Sequence, residues 1–172
     1  VDVPTIERKM VLIALPGAGL TNESIELIKS YIYIEKSLGD DIDAVVKVHP
    51  TCSKNDILKL VPELSSKNIS FSNKSIPELL KLTSVVISSA SSVCIEAIAL
   101  GIPVAMLGSR SGVTMNPVPV GVSKKVCTVF FKPKDLKLHI IYALDRKTRI
   151  REVEKWFFKV GKRNTRELFL KY

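Results

Sequence analysis

The chain has 172 residues, of which 46% are hydrophobic and 25% charged, which is enough for one α/β domain with a buried core and too few for two. Its net charge of +9 indicates a polyanionic partner, either a nucleotide phosphate or an anionic membrane face, and no RNA-binding signature suggests nucleic acid. No apolar run reaches membrane-spanning length, the first nine residues do not read as a signal peptide, and three scattered cysteines without a CxxC pair argue against a disulfide framework or a metal site.

Short apolar segments alternate with amphipathic ones along the chain. Strands are predicted at residues 10–15, 44–48, 69–71, 85–88, 103–107 and 125–131. Helices are predicted from about Asn22, with Thr21 or Asn22 as the cap, and at residues 53–64, 76–82, 92–100, 136–144 and 152–169. Ser75 is the expected cap of the 76–82 helix, and Gly101 ends the 92–100 helix. This alternation predicts an α/β fold, a Rossmann-like doubly wound parallel sheet.

Three unusual loops follow predicted strands. Ligands in doubly wound sheets bind at the carboxyl ends of the strands, so these loops are the candidate site. Its candidate residues are Gly17, Ala18 and Gly19 in the first loop, Lys47, His49 and Pro50 in the second, and Ser89, Ser91, Ser92 and Glu96 in the third.

The glycine loop, Gly17 to Gly19, lets the backbone approach a phosphate at a helix start, although a plain strand–helix turn has the same composition. It resembles the dinucleotide fingerprint GxGxxG, but Asn22 occupies the third glycine position. The next strand ends in Lys47 and His49 rather than in the acid that a ribose of NAD needs, and no GK[ST] motif is present. A dehydrogenase and a P-loop are therefore disfavoured.

The Lys-Val-His-Pro segment, residues 47–50, ends the second predicted strand. Strand alternation is expected to place Lys47 and His49 on one face, with Pro50 stopping the strand. His49 can donate to a phosphate oxygen, or it can simply bond a backbone carbonyl. The other histidine, His139, lies in an apolar helical setting and is interpreted as structural.

The serine turn offers hydroxyl groups and main-chain N–H groups at a helix start, which is an anion-binding arrangement. Glu96 lies one helical turn after Ser92, where a carboxylate can accept hydrogen bonds from both hydroxyls of a ribose. The alternative is purely structural: Ser91 or Ser92 is an N-cap, and Glu96 complements the helix dipole. Cys94, within the same apolar run, is expected to be a small core residue.

The segment SSASSVCIEAIALGIPV, residues 88–104, resembles the donor-binding half of glycosyltransferases of the GT-B fold. Together with KVHP it is similar to HP-motif sialyl-, polysialyl- and Kdo transferases, to CDP-glycerol transferases, and to surface-carbohydrate biosynthesis proteins. The resemblance implies a nucleotide-sugar donor, with CMP favoured, and no metal or separate cofactor. It implies that His49 stabilises the leaving phosphate, that Ser89, Ser91 and Ser92 complete the phosphate site, that Glu96 binds the ribose, and that the glycine loop lies near the phosphate and the sugar.

The same resemblance predicts the domain organisation. Residues 1–9 are expected to be a linker from a missing N-terminal domain that supplies the acceptor site and the catalytic base, residues 10–145 the nucleotide-sugar domain, and residues 146–172 a basic C-terminal helix. Alone, the chain should bind donor but lack most catalytic power. The alternatives are a CDP-glycerol or UDP-sugar transferase, a sugar-nucleotide epimerase, and a non-catalytic module docking through the basic helix. A cytoplasmic location is expected, with peripheral membrane contact through that helix.

Overall fold

The computed structural model describes residues 9–66, 69–110, 116–118 and 122–145. Within them, six strands form one parallel sheet. The strands are β1 (Lys9–Ala14), β2 (Ile42–Lys47), β3 (Ile69–Phe71), β4 (Val85–Ser88), β5 (Val104–Leu107) and β6 (Cys127–Phe130). The helices are α1 (Thr21–Glu35), α2 (Lys54–Leu60), α3 (Ile76–Leu82), α4 (Val93–Ala99) and α5 (Pro133–Leu144).

The strand order is β3-β2-β1-β4-β5-β6. The chain winds outward from β1 to β3, crosses over, and then winds outward in the other direction from β4 to β6. The order therefore reverses between β1 and β4, where a doubly wound sheet opens a crevice for ligands. The predicted fold class, a Rossmann-like doubly wound parallel sheet, is confirmed.

Both faces of the sheet are covered, which explains why the central strands are almost wholly apolar. Val11, Leu12 and Ile13 of β1 are all 0% exposed. On one face β1 packs with α1 and α5, and on the other with α3 and α4. Cys94 lies in the second cluster and is fully buried, as expected for a core residue.

Several helix boundaries differ from the sequence-based expectation. Neither Thr21 nor Asn22 caps α1, because Thr21 is already helical and its hydroxyl donates back to the Ala18 carbonyl at 3.0 Å. The helix predicted at 53–64 stops at Leu60, and a 3₁₀ turn (Pro62–Ser66) follows, since Pro62 lacks a donor. Helix α5 starts earlier than predicted, with Pro133 in its first turn, where proline is favoured.

Two predicted helix ends are as expected. The main-chain N–H of Ser75 donates to Glu78 Oε2 at 2.8 Å, which is half of a capping box at the start of α3. At the end of α4, Gly101 has φ +73°, and the N–H groups of Gly101 and Ile102 donate to the carbonyls of Ile98 and Ala97. This is a Schellman motif, which requires the left-handed conformation that glycine adopts most easily. The Gly-x-Pro segment therefore ends a helix and leads into β5.

The predicted basic helix at 152–169 and the segment 146–172 as a whole lie outside the described residues, as do residues 1–8 of the predicted linker. Lys9, assigned to that linker, is instead the first residue of β1. Among the described helices, none combines the length and the apolar character needed to cross a membrane.

Candidate functional site

The glycine loop and the turn after β2 are held together at the carboxyl edge of the sheet. The main-chain N–H of Leu15 donates to the Lys47 carbonyl at 3.0 Å, and so extends the β1–β2 pairing to the strand ends. Beyond it, Gly17 lies over the turn. A Cβ atom on Gly17 would be 3.5 Å from Thr51 Oγ1 and 3.6 Å from Nδ1 of His49. The structure therefore brings two of the three predicted loops together.

His49 is half-buried and begins a tight turn. The Cys52 N–H donates to the His49 carbonyl at 2.9 Å, and Pro50 occupies the second position, where its fixed φ is favourable. The Thr51 N–H donates to His49 Nδ1 at 3.2 Å, and Thr51 Oγ1 lies 2.8 Å from the same nitrogen. The Ala18 N–H donates to Thr51 Oγ1 at 3.2 Å, which connects the glycine loop to the histidine.

One geometric argument from the sequence does not hold. Strand β2 ends at Lys47, so the alternation of side chains along a strand does not extend to His49. The turn, through Pro50 and Thr51, sets the orientation of His49 instead. Lys47 is the half-buried last residue of β2 and remains at the carboxyl edge.

The serine turn follows β4 on the other side of β1. The buried Ser88 hydroxyl donates to the Ala14 carbonyl at 2.7 Å and ties the ends of β4 and β1 together. Ser89 is 4% exposed, and its Oγ is buried without a hydrogen-bond partner. Ser91 Oγ accepts weakly from the Val93 N–H at 3.4 Å, and the exposed Ser92 makes no capping bond with its side chain. Ser91 and Ser92 are thus the accessible hydroxyls, whereas Ser89 would have to rotate to reach a ligand.

Glu96 lies in α4 one turn beyond the serine turn, since its N–H donates to the Ser92 carbonyl at 3.1 Å. Its side chain is half-buried, and desolvation raises the pKa of the carboxyl above its ordinary value. A carboxylate that has lost part of its hydration gains more from a ligand's hydroxyl groups than a fully solvated one does.

The topology sets the separation of the three loops. Strands β2 and β4 both pair with β1, so their ends lie roughly 10 Å apart, twice the spacing of neighbouring strands. The glycine loop lies between them, beside the point where the strand order reverses. Among the described residues, no group of three or more His, Cys, Asp or Glu side chains could hold a metal ion.

A separate cleft of about 450 Å³ lies along α1. It is lined by Glu26, Lys29, Tyr33, Arg110 and Pro133, among others, and Arg110 Nε contacts Glu26 Oε1 at 2.8 Å. None of the predicted site residues lines this cleft.

Sequence reasoning missed two residues of the turn. Thr51 contacts both His49 and Ala18, and the half-buried Cys52 thiol lies 3.8 Å from the Pro16 carbonyl. The available signal was their position directly after His-Pro, where a turn brings the next residues back over the histidine ring.

Solved structures with similar folds include an epimerase, a glycosyl transferase domain and a teichoic acid polymerase. The UDP-GlcNAc 2-epimerase of Methanocaldococcus jannaschii, solved with UDP-GlcNAc and UDP, matches 83% of this chain with a TM-score of 0.61 and 19% identity, over 40% of its own length. The C-terminal domain of LpcC, a glycosyl transferase group 1 family protein from Francisella tularensis, matches 89% of this chain and 87% of its own, with a TM-score of 0.60 and 13% identity. The wall teichoic acid polymerase TagF, solved with CDPG, has a TM-score of 0.51 and 17% identity, over 82% of this chain and 37% of its own.

The chain spans about two fifths of the length of the epimerase and most of the LpcC domain. No protein-family model and no curated protein matches the sequence. At these identities the likeness concerns the fold. The chain therefore has a Rossmann-like α/β fold, which it shares with a GT-B glycosyl transferase domain and with a UDP-GlcNAc 2-epimerase.

Proposed function

We propose that this chain is the donor-binding domain of a glycosyltransferase that uses a nucleotide-activated sugar, with a CMP-linked sugar favoured, in the synthesis of a surface polysaccharide or capsule. The observation that carries the proposal is the junction of the glycine loop and the His-Pro turn through Ala18, Thr51 and His49. It lies at the carboxyl edge of the sheet, beside the point between β1 and β4 where the strand order reverses, and a doubly wound sheet binds nucleotides at that point.

The chemistry of the edge suits a phosphate. Lys47 ends β2 and His49 follows it two residues later, and each side chain can donate a hydrogen bond to an anion. As the bond between phosphate and sugar breaks, negative charge develops on the phosphate, and donors already in place stabilise it without reorganisation. His49 is the residue to which we assign this role, with Ser91 and Ser92 donating from the other side of β1.

Glu96 is the residue to which we assign the ribose. Its partial desolvation and its place one turn into α4 fit a carboxylate that accepts from two neighbouring hydroxyls. The acceptor site and the catalytic base would belong to another domain, so the isolated chain should bind donor and turn over slowly or not at all.

A second candidate is a UDP-sugar enzyme, either a transferase or a 2-epimerase. The observation in its favour is the fold likeness to the UDP-GlcNAc epimerase, which exceeds the likeness to TagF in TM-score. CDP-glycerol transfer is a third candidate, supported by the likeness to TagF and by the Lys-x-His-Pro sequence. Docking to a membrane through residues 146–172 is a non-catalytic candidate. It rests on the basic sequence of that segment alone, because those residues lie outside the described structure.

A thermal-unfolding titration of the full chain with CMP, CDP, UMP, UDP and NAD tests the proposal. A nucleotide present at about a hundred times its Kd stabilises the folded state by about 2.7 kcal/mol, which for this size of domain is a rise in Tm of roughly 5–10 °C. We expect the largest rise with cytidine nucleotides and none with NAD. A preference for UDP would select the epimerase or UDP-sugar candidate, and a rise with NAD alone would refute the proposal.

A pair of lysine variants provides a matched control for charge. Lys47 ends β2 at the carboxyl edge, whereas Lys9 begins β1 at the opposite edge, in an exposed salt bridge with Asp41. Both Lys47→Ala and Lys9→Ala remove one positive charge. We expect weaker nucleotide binding only in Lys47→Ala, and equal losses in the two variants would indicate non-specific attraction by the net charge.

A further inference from the structure

The turn after β2 favours one of the two neutral tautomers of His49. A main-chain N–H group can only donate, and that of Thr51 lies 3.2 Å from His49 Nδ1 with donor geometry. With this bond formed, Nδ1 is the acceptor nitrogen of the neutral ring and Nε2 carries the proton. Among the described residues, none hydrogen-bonds to Nε2, so this N–H is available to a ligand.

The hydroxyl of Thr51 adds a second constraint. A hydroxyl has one proton and two lone pairs, so it can donate to His49 Nδ1 at 2.8 Å and accept from the Ala18 N–H at 3.2 Å. These two bonds agree with the tautomer that the main-chain N–H requires. They also link the ring of His49 directly to the glycine loop.

We propose that Thr51 is a positioning residue for the phosphate site: its hydroxyl holds His49 with the Nε2–H as the available donor and holds the glycine loop in register with it. This inference deepens the proposed function and rests on it for the identity of the ligand. Thr51 itself is exposed, and its role is exerted through His49 and Ala18.

The first arm of the test concerns the protein without ligand. Long-range ¹H–¹⁵N spectra of the ¹⁵N-labelled full chain at pH 8.5 report the tautomer of His49. We expect the Nε2–H tautomer in the wild type and in Thr51→Ser, and a lower population of it in Thr51→Val, which has nearly the same shape but no hydroxyl. A wild-type ring protonated on Nδ1, or a Thr51→Val ring identical to that of the wild type, would overturn the proposal.

The second arm is a double-mutant cycle on affinity, measured by calorimetry with CMP and with UDP. Loss of the Thr51 hydroxyl in Thr51→Val should weaken nucleotide binding about three- to tenfold. The affinity of Thr51→Ser, which keeps a hydroxyl, should be close to that of the wild type. In a His49→Ala background the same Thr51→Val change should weaken binding less than it does in the wild-type background, because only the bond to Ala18 remains to be lost. Equal losses in both backgrounds would mean that Thr51 acts only on loop structure and would refute the proposal.

The two arms separate the two proposals. If the wild type binds neither CMP nor UDP, the proposed function fails, while the spectra still decide whether Thr51 positions His49. A comparison of Tm values between the wild type and the Thr51 variants shows that each is folded before either measurement.

Discussion

Gly17 lies beside the ring of His49, so that a Cβ atom at Gly17 would be 3.6 Å from both Cε1 and Nδ1 of that ring. This distance is an ordinary van der Waals contact. The backbone of Gly17 is also extended, with φ −67°, so an alanine there meets neither a clash nor backbone strain. The glycine is consequently not needed by the fold, and the space beside His49 is available to a ligand.

Gly17→Ala should therefore weaken nucleotide binding without destabilising the protein. The added methyl group occupies space beside the proposed phosphate donor, and we expect at least a tenfold loss of affinity for the nucleotide that stabilises the wild type. The Tm should change by less than about 2 °C, corresponding to a surface substitution within roughly 0.5 kcal/mol. Calorimetry and thermal unfolding measure the two effects.

Gly19→Ala is the matched control for this experiment. It adds the same methyl group in the same loop, but within the described part of the chain no atom outside the local backbone and the two neighbouring residues lies within 4 Å of the new Cβ position. Its affinity should remain within twofold of the wild type. If the affinity of Gly17→Ala also stays within twofold of the wild type, no ligand contacts the space beside His49.

Glu96→Gln should raise stability and lower affinity at once. Desolvation raises the pKa of Glu96, so the folded protein holds this proton more tightly than the unfolded chain does. The contribution of Glu96 to the free energy of unfolding is fully present below the ordinary pKa of 4.5. It is lost as the pH rises through the raised pKa of the folded protein. At pH 7 the neutral glutamine therefore removes an unfavourable charge, and the Tm of the ligand-free variant should exceed that of the wild type.

The loss of a charged acceptor should weaken nucleotide binding by about 1.5–3 kcal/mol, or roughly ten- to a hundredfold. The gain in Tm should disappear below pH 4.5, where Glu96 of the wild type is protonated as well. Equal affinities of Glu96→Gln and the wild type for a nucleotide would refute the ribose role, and equal Tm values at pH 7 would contradict the desolvation of the carboxyl.

His139 should make the protein sensitive to mild acid. The side chain is 6% exposed, its Nε2 is buried without a hydrogen-bond partner, and burial lowers its pKa to about 4. As the pH falls, the unfolded chain therefore takes up this proton at a higher pH than the folded protein does. The contribution of His139 to the free energy of unfolding is fully present above the ordinary pKa of 6.5. As the pH falls towards about 4, up to about 3 kcal/mol of this free energy is lost.

Urea unfolding at pH 7.5 and at pH 5.0 tests this effect in His139→Leu, which replaces the imidazole by an apolar side chain. The variant should lose less stability between the two pH values than the wild type. Leu138→Ala is the control, since Leu138 is its 60% exposed neighbour on α5 and should keep the wild-type pH dependence. The same loss in His139→Leu as in the wild type would contradict the assignment.

Cys52 should be the thiol that reacts fastest. It is half-buried beside the proposed site, whereas Cys94 is fully buried, and burial raises the pKa of Cys94 to about 12 and that of Cys127 to about 11. The thiolate is the reactive form, so labelling with iodoacetamide at pH 7.5 should proceed first at Cys52. Peptide mass spectrometry at successive times identifies the labelled residue.

A bound nucleotide should slow this labelling, because Cys52 follows Thr51 and its thiol contacts the carbonyl of Pro16, the residue that precedes the glycine loop. Lys59→Ala is the control, since Lys59 is an exposed residue of α2. Its Cys52 should be labelled, and be protected by the nucleotide, as in the wild type. Labelling of Cys94 before Cys52 would contradict the burial argument, and an unchanged rate under saturating nucleotide would place the ligand away from the His-Pro turn.

The sequence by itself determined the fold class and most of the elements. Wholly apolar runs such as residues 85–87 are typical of strands that are buried on both faces of a parallel sheet. Ser75 and Gly101 marked helix ends because capping and the left-handed conformation depend on local chemistry alone. The position of the candidate residues at strand ends followed from the same alternation of strands and helices.

Only the tertiary structure decided how those residues meet. The turn after β2, rather than strand alternation, orients His49 through Thr51. The Thr51 hydroxyl is in turn bound by the N–H of Ala18, 33 residues earlier in the chain. The enclosure of Ser89 Oγ and the partial desolvation of Glu96 likewise depend on what packs around α4. Local propensity carries no information on contacts between distant segments, because these arise only when the sheet brings β1, β2 and β4 side by side.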